Sequence, residues 1–218
     1  MKKIRRILTI AMVGVLAITL VACGEPQLGI EEPSKESNGY EMMTLNSTLL
    51  SEREELVNMN AECPCRNIWY YNVDDSISKM TIYAYGLEGN KWEVKEVVSC
   101  DGAVGFLKNS SFSIGFSDDY SKMSFAIKDD GGAGGNIYKT GTVIDGQVVG
   151  SMSTMKDNAN TIEKGKVIPM YFEYGTNQKR VEESEKFMKE NSTEQLLEKP
   201  EEVSKFYDSA LIVAAVFQ

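Results

Sequence analysis

The chain has 218 residues and no histidine, which excludes His-based catalytic triads, His-containing zinc sites and a histidine pH switch. Lys2, Lys3, Arg5 and Arg6 are the only charged residues among the first 22, so the remainder carries 19 basic residues against 32 acidic ones, a net charge of −13. Such a surface repels nucleic acid and anionic headgroups, so no nucleic-acid partner is expected, and the length suits one domain of ordinary size.

The N-terminus places a basic start, Met1-Lys2-Lys3-Ile4-Arg5-Arg6, before an apolar run from Ile7 to Leu20. That run is shorter than the ~20 residues a membrane-spanning helix needs and has the length of a signal-peptide core. Leu20-Val21-Ala22-Cys23 follows. It resembles the lipobox of bacterial lipoproteins, a resemblance confined to about the first 24 residues. The resemblance implies cleavage before Cys23 and a diacylglyceryl group on its thiol, with residues 1–22 as signal peptide. Two acyl chains suffice for stable attachment. The expected location is therefore the extracytoplasmic face of the cell membrane, with the membrane as partner through Cys23. An uncleaved anchor helix and an ordinary secretory signal are the alternatives. For residues 40–218 no family is identified.

Residues 23–39 crowd glutamate, proline, serine and glycine together and read as a flexible linker. A single domain is expected over 40–218. Ser51-Glu52-Arg53-Glu54 has capping-box spacing and predicts a short helix over 52–59. Strand patterns follow at 67–73, 79–87 and 91–99, with a turn signal at Glu88-Gly89-Asn90. Further strands are expected at 104–108, 111–117, 122–128, 136–144 and 147–154, with Asp145-Gly146 as a hairpin turn between the last two. Another strand is expected over 166–174, where Pro169 demands an edge position or a bulge. The segment Asp74–Ile82 echoes Asp118–Phe125, suggesting two similar hairpins about 43 residues apart. Near the end, 180–190 reads as helix, Ser192-Thr193-Glu194-Gln195 starts a second one, and 210–217 reads as a buried final strand. The expected fold is mainly β: an antiparallel β-sandwich with short helices near the N- and C-terminal ends of the domain.

Four constellations could carry chemistry. Cys63, Cys65 and Cys100 lie outside the expected lipidation site, and in an oxidising compartment a disulfide from Cys63 or Cys65 to Cys100 is the first expectation. Binding of a soft metal by the Cys-Pro-Cys unit with Cys100 is the weaker reading. Asp74-Asp75, Asp118-Asp119 and Asp129-Asp130 could ligate calcium, but aspartate is also a turn residue, and turn chemistry is expected. The glycine-rich stretch 129–136 lacks the Gly-Lys-Ser/Thr ending of a phosphate loop and reads as a mobile connection. Trp69, Tyr71, Tyr83, Tyr85 and Trp92 gather in neighbouring strands and form the candidate binding face, against the commoner use of such residues in cross-strand packing.

No catalytic residues, metal or cofactor are expected. The function expected is a non-catalytic module holding an unknown ligand or envelope protein at the membrane. A hydrolase using paired carboxylates is the rival reading, and a structural, envelope or immunity-type lipoprotein the third.

Overall fold

Two antiparallel sheets, three α-helices and a 3-10 turn at Gln178–Arg180 account for the regular structure of residues 39–51, 61–101, 107–129, 132–153 and 159–218, the residues described in a computed structural model. The first sheet comprises β1 Thr44–Leu49, β2 Cys65–Asn72, β5 Asn109–Phe116, β6 Lys122–Asp129, β7 Gly132–Lys139 and β9 Ala159–Thr161, in the order β7-β6-β5-β2-β1-β9. The second comprises β3 Lys79–Glu88, β4 Lys91–Asp101, β8 Val148–Ser153, β10 Val167–Thr176 and β11 Ser209–Phe217, in the order β4-β3-β11-β10-β8. The helices are α1 Val181–Glu190, α2 Thr193–Glu198 and α3 Pro200–Phe206.

Alternation along each strand divides the side chains between two cores. From the first sheet Leu45, Trp69, Tyr71, Phe112, Ile114 and Phe125 meet Met80, Ile82, Leu211, Val213 and Phe217 of the second. The outer face of the second sheet has its own core, in which Phe172 and Ile212 pack with Phe187, Leu196 and Val203 of the helices. β11 is therefore buried on both faces, which is why Ala210–Phe217 is an unbroken apolar run. The fold is thus a mainly β sandwich with short helices laid on one sheet near the C-terminus.

Several expectations are met locally. β3 pairs with β4 across the turn at Gly89, which holds φ +62° as the turn requires. β10 shifts register between Pro169 and Tyr171, the bulge that the proline demands. Ser192 and Gln195 form a capping box at the start of α2. The helix expected over 52–59 and most of the strand expected at 104–108 lie outside the described residues, as does the expected linker apart from Gly39.

Other expectations are corrected. The glycine-rich stretch is strand: from Gly132 onward it pairs with β6 as β7, which ends at Lys139. Asp145-Gly146 is no hairpin turn, because β7 and β8 belong to different sheets. The chain crosses there instead, pressed so closely on β10 that a Cβ at Gly175 would lie 2.0 Å from the Asp145 carbonyl oxygen. The echo also splits. Its second copy joins β5 to β6 as a hairpin, whereas its first carries the chain from β2 in one sheet to β3 in the other. Pro200 opens α3 at a position where its missing N–H costs nothing.

Candidate functional site

A cleft of about 680 Å³ lies at the β8 edge of the second sheet, between its helix-covered side and Asn160 of β9 in the first sheet. Met152 of β8, Tyr174 of β10 and Met188 of α1 supply its apolar surface, and Glu185, Lys189 and Ser192 stand among its polar groups. The local sequence builds this shape. Gly150 sits opposite Tyr174 in the β8–β10 ladder, and a Cβ there would come within 2.3 Å of the Tyr174 ring, so the glycine makes room for it. The ring is held from below by Phe172 and Tyr207, with centroids 5.5 and 4.8 Å away.

The far wall is fixed by caps. Asn191 Nδ2 donates to the Phe187 carbonyl at 2.8 Å, closing α1. The Ser192 amide donates to Gln195 Oε1 at 2.7 Å, while Ser192 Oγ accepts from the Gln195 amide. Tyr207 donates from its hydroxyl to the Ser184 carbonyl at 2.9 Å, fastening α1 to the chain just before β11. Glu185 and Lys189, one turn apart on α1, form an ion pair at 3.9 Å.

A second cluster joins the sheets. Glu173, on the inter-sheet face of β10, has no solvent exposure. Arg66 of β2 donates from Nη1 to Glu173 Oε1 at 3.1 Å and to Ser151 Oγ at 2.5 Å, and Ser151 Oγ donates to Glu173 Oε1 at 2.8 Å. Arg66 Nη2 donates to the Tyr120 hydroxyl at 2.8 Å, and the guanidinium lies over the rings of Phe116 and Tyr120. Burial pushes the Glu173 carboxyl above the ordinary glutamate range; Arg66 and the Ser151 and Tyr120 hydroxyls oppose that rise. The pair ties the two sheets together, and it is costly to break from the arginine side because that strands a buried carboxylate.

The expected site residues are dispersed. Trp69 and Tyr71 are buried between the sheets, where Trp69 Nε1 donates to the Tyr171 hydroxyl at 2.9 Å, so neither belongs to a binding face. Tyr85 and Trp92 pack against the helices on the opposite side of the second sheet, and Trp92 Nε1 donates to the Leu196 carbonyl at 3.2 Å. Tyr83 lies beside Tyr85 with centroids 6.4 Å apart. The five aromatics thus serve different layers and do not form one surface.

The cysteines are dispersed too. No disulfide joins any two of Cys63, Cys65 and Cys100. Cys100 pairs in register with Met80, which pairs on its other side with Phe217, and that ring lies 5.6 Å from Tyr71. Cys65 starts the same strand that Tyr71 nearly ends, about 20 Å away at a strand's rise per residue. A bridge needs Cα atoms within about 7 Å, so the expected disulfide from Cys65 to Cys100 does not form, nor does a three-cysteine metal site. Burial pushes the Cys63 and Cys100 thiols up, the direction of inert rather than reactive cysteines. Cys23 lies outside the described residues.

Two of the acidic pairs do what turn residues do. Asp74 Oδ1 accepts from the Ser76 amide and hydroxyl, and Asp119 Oδ1 accepts from the Ser121 amide and from the Ser117 and Ser121 hydroxyls. These hydrogen bonds hold both carboxyls below the usual aspartate range. The side chains of Asp129-Asp130 lie outside the described residues.

Sequence reasoning missed Arg66, Glu173 and the cleft residues Met152, Tyr174 and Met188. Glu173 carried a readable signal: a lone carboxylate within the apolar strand Val167–Thr176 must find a cation if it is buried. The cleft carried none, because its lining comes from elements far apart in the chain. The chain matches no protein-family model, no curated protein and no solved structure.

Proposed function

We propose that this chain is a lipid-anchored extracytoplasmic protein that binds a ligand or envelope partner without transforming it, using the cleft between β8, β10 and the α1–α2 corner. The tether rests on the agreement of basic start, apolar core and Leu20-Val21-Ala22-Cys23. The binding role rests on the cleft itself, a concavity with an apolar floor and a few convergent polar groups, which is the usual form of a ligand site. Non-catalytic use is favoured because the acidic side chains with shifted affinity for protons are already engaged: Asp74 and Asp119 in turns, Glu173 with Arg66.

The address is tested by intact mass of the protein extracted from membranes, alongside Cys23→Ser. The expected result is a diacylated mass beginning at residue 23 and release of the variant from the membrane fraction. An unlipidated mass would refute the tether. The binding role is tested by a photo-crosslinking residue in place of Met188, with one in place of exposed Lys91 as control. An adduct formed in cells from position 188 and not from 91 is expected; no adduct from 188 would refute the cleft as a binding site.

A further inference from the structure

Among the described residues the sheet edge that borders the cleft is open. β8 pairs with β10 on one side, and among the described residues no strand pairs with the other. An edge strand presents alternate backbone N–H and C=O groups outward, a template for another chain unless something blocks it. The opposite edge of the same sheet is guarded: β4 exposes Lys91, Glu93, Lys95 and Glu96, and its ladder with β3 shifts register between Ile82 and Tyr83. In the other sheet β9 has three residues, and β7 spends three of its eight on glycine, which weakens pairing. β8 has a single glycine, Gly150, and neither charge nor register shift to guard it. It reads Val148-Val149-Gly150-Ser151-Met152-Ser153, without charge or proline, its ladder with β10 runs without a shift, and Val149 is 47% exposed.

We propose that β8 receives an extended peptide of a partner protein as an added strand, with alternate apolar side chains of the peptide entering the cleft over Met152, Tyr174 and Met188. This rests on the reading of the cleft as the binding site and names the ligand class it takes. The geometry follows from strand dimensions. Gly150 and Met152 face the helix side of the sheet, because Ser151 between them turns inward to Glu173. An added strand lies about 4.8 Å beyond β8, and its side chains on that face point under α1, at intervals of about 7 Å. Backbone pairing supplies affinity, and the cleft supplies selection for apolar residues at alternate positions. The acidic surface beyond residue 22, with its net charge of −13, favours a peptide with basic flanks.

The test uses the full chain in detergent and a pool of nine-residue peptides. Leucine, valine or phenylalanine occupies alternate positions, with lysine or threonine between them. Binding is read by fluorescence anisotropy and by backbone hydrogen exchange. Members of the pool are expected to bind and to slow exchange within β8. Methylating alternate peptide nitrogens is expected to weaken binding by about tenfold or more, the equivalent of one net hydrogen bond. Val149→Lys, at an exposed position, is expected to weaken binding with an unchanged thermal midpoint, whereas Val149→Thr retains it. Equal binding of methylated and unmethylated peptides, lost in Met188→Glu, would overturn strand addition and leave the cleft a binding site. Failure of the whole pool, with a photo-adduct still formed at position 188, would do the same. A doubled mass of the peptide-free protein, abolished by Val149→Lys, would overturn the proposal in favour of a second copy on β8.

Discussion

Arg66 Nη1 lies 3.1 Å from Glu173 Oε1, so a charge on β2 of the first sheet is matched by one on β10 of the second. The two ends of this pair are unequal. Glu173 has no solvent exposure, while the Arg66 side chain is 40% exposed and can keep water if its partner is lost.

That inequality predicts a pH-dependent loss in Arg66→Ala. The Glu173 carboxyl already titrates above its ordinary value, and without Arg66 it titrates higher still. A raised carboxyl costs the fold nothing when it is protonated in both states, below the unfolded value near pH 4.5. The penalty grows as pH rises through the folded value. Arg66→Ala is therefore expected to cost about 3 kcal/mol at pH 8 and far less at pH 4. Urea unfolding at the two pH values measures this; an equal loss at both would mean that the charge is not what Arg66 contributes.

The aromatic set divides by layer, and its mutants should divide likewise. Trp69→Ala removes a buried ring that stacks on Phe112 and donates to Tyr171, and is expected to cost about 3–5 kcal/mol. Tyr83→Ala, half-buried beside Tyr85, is expected to cost about 1 kcal/mol. Chemical denaturation of the two variants compares them, and similar losses would contradict the assignment of Trp69 to the inter-sheet core.

Thiol titration of the denatured protein without reductant should find no bridge among Cys63, Cys65 and Cys100. In the native protein half-buried Cys65 is expected to react first, with buried Cys63 and Cys100 following only as the fold opens. A protein whose unfolding midpoint falls on adding reductant would contain a bridge that this fold does not provide.

Gly150→Ala probes the cleft without touching its polar groups. The added methyl collides with the outer end of the Tyr174 ring, a movable target, so a loss of only about 1 kcal/mol is expected. The displaced ring then changes the cleft, and weaker photo-adduct formation from position 188 should accompany that small loss. A variant as competent as the wild type in adduct formation would remove Tyr174 from the binding surface.

Much of the strand inventory was legible because alternation is a local property. Lys79 to Leu87 alternates cleanly and is β3, and the β-branched residues of 210–217 marked β11. β1 was not legible: Thr44, Asn46, Ser47 and Thr48 leave only Leu45 and Leu49 apolar, and the strand exists because β2 and β9 pair with it. The glycines of β7 hid that strand in the same way, since pairing with β6 outweighs their poor propensity. The candidate site was hardly legible at all. Met152, Tyr174 and Met188 are ordinary core-type residues in sequence and become one surface only when α1 folds over the β8 edge.

By itself the sequence determined which segments alternate, where helices cap at Ser192, and that no histidine chemistry is available. The resemblance of Leu20-Val21-Ala22-Cys23 to a lipobox, on which the proposed tether rests, is equally a matter of sequence. What the tertiary structure alone decided is which face of each strand is covered, and by what. Alternation defines two faces but assigns neither: Tyr71 and Tyr85 sit in similar patterns, yet one is sealed between the sheets and the other lies against the helices. Strand order, the partner of Glu173, the separation of Cys65 from Cys100 and the open edge of β8 all depend on pairings between distant segments. Those pairings are set by how the whole chain buries its apolar surface, which no local pattern encodes.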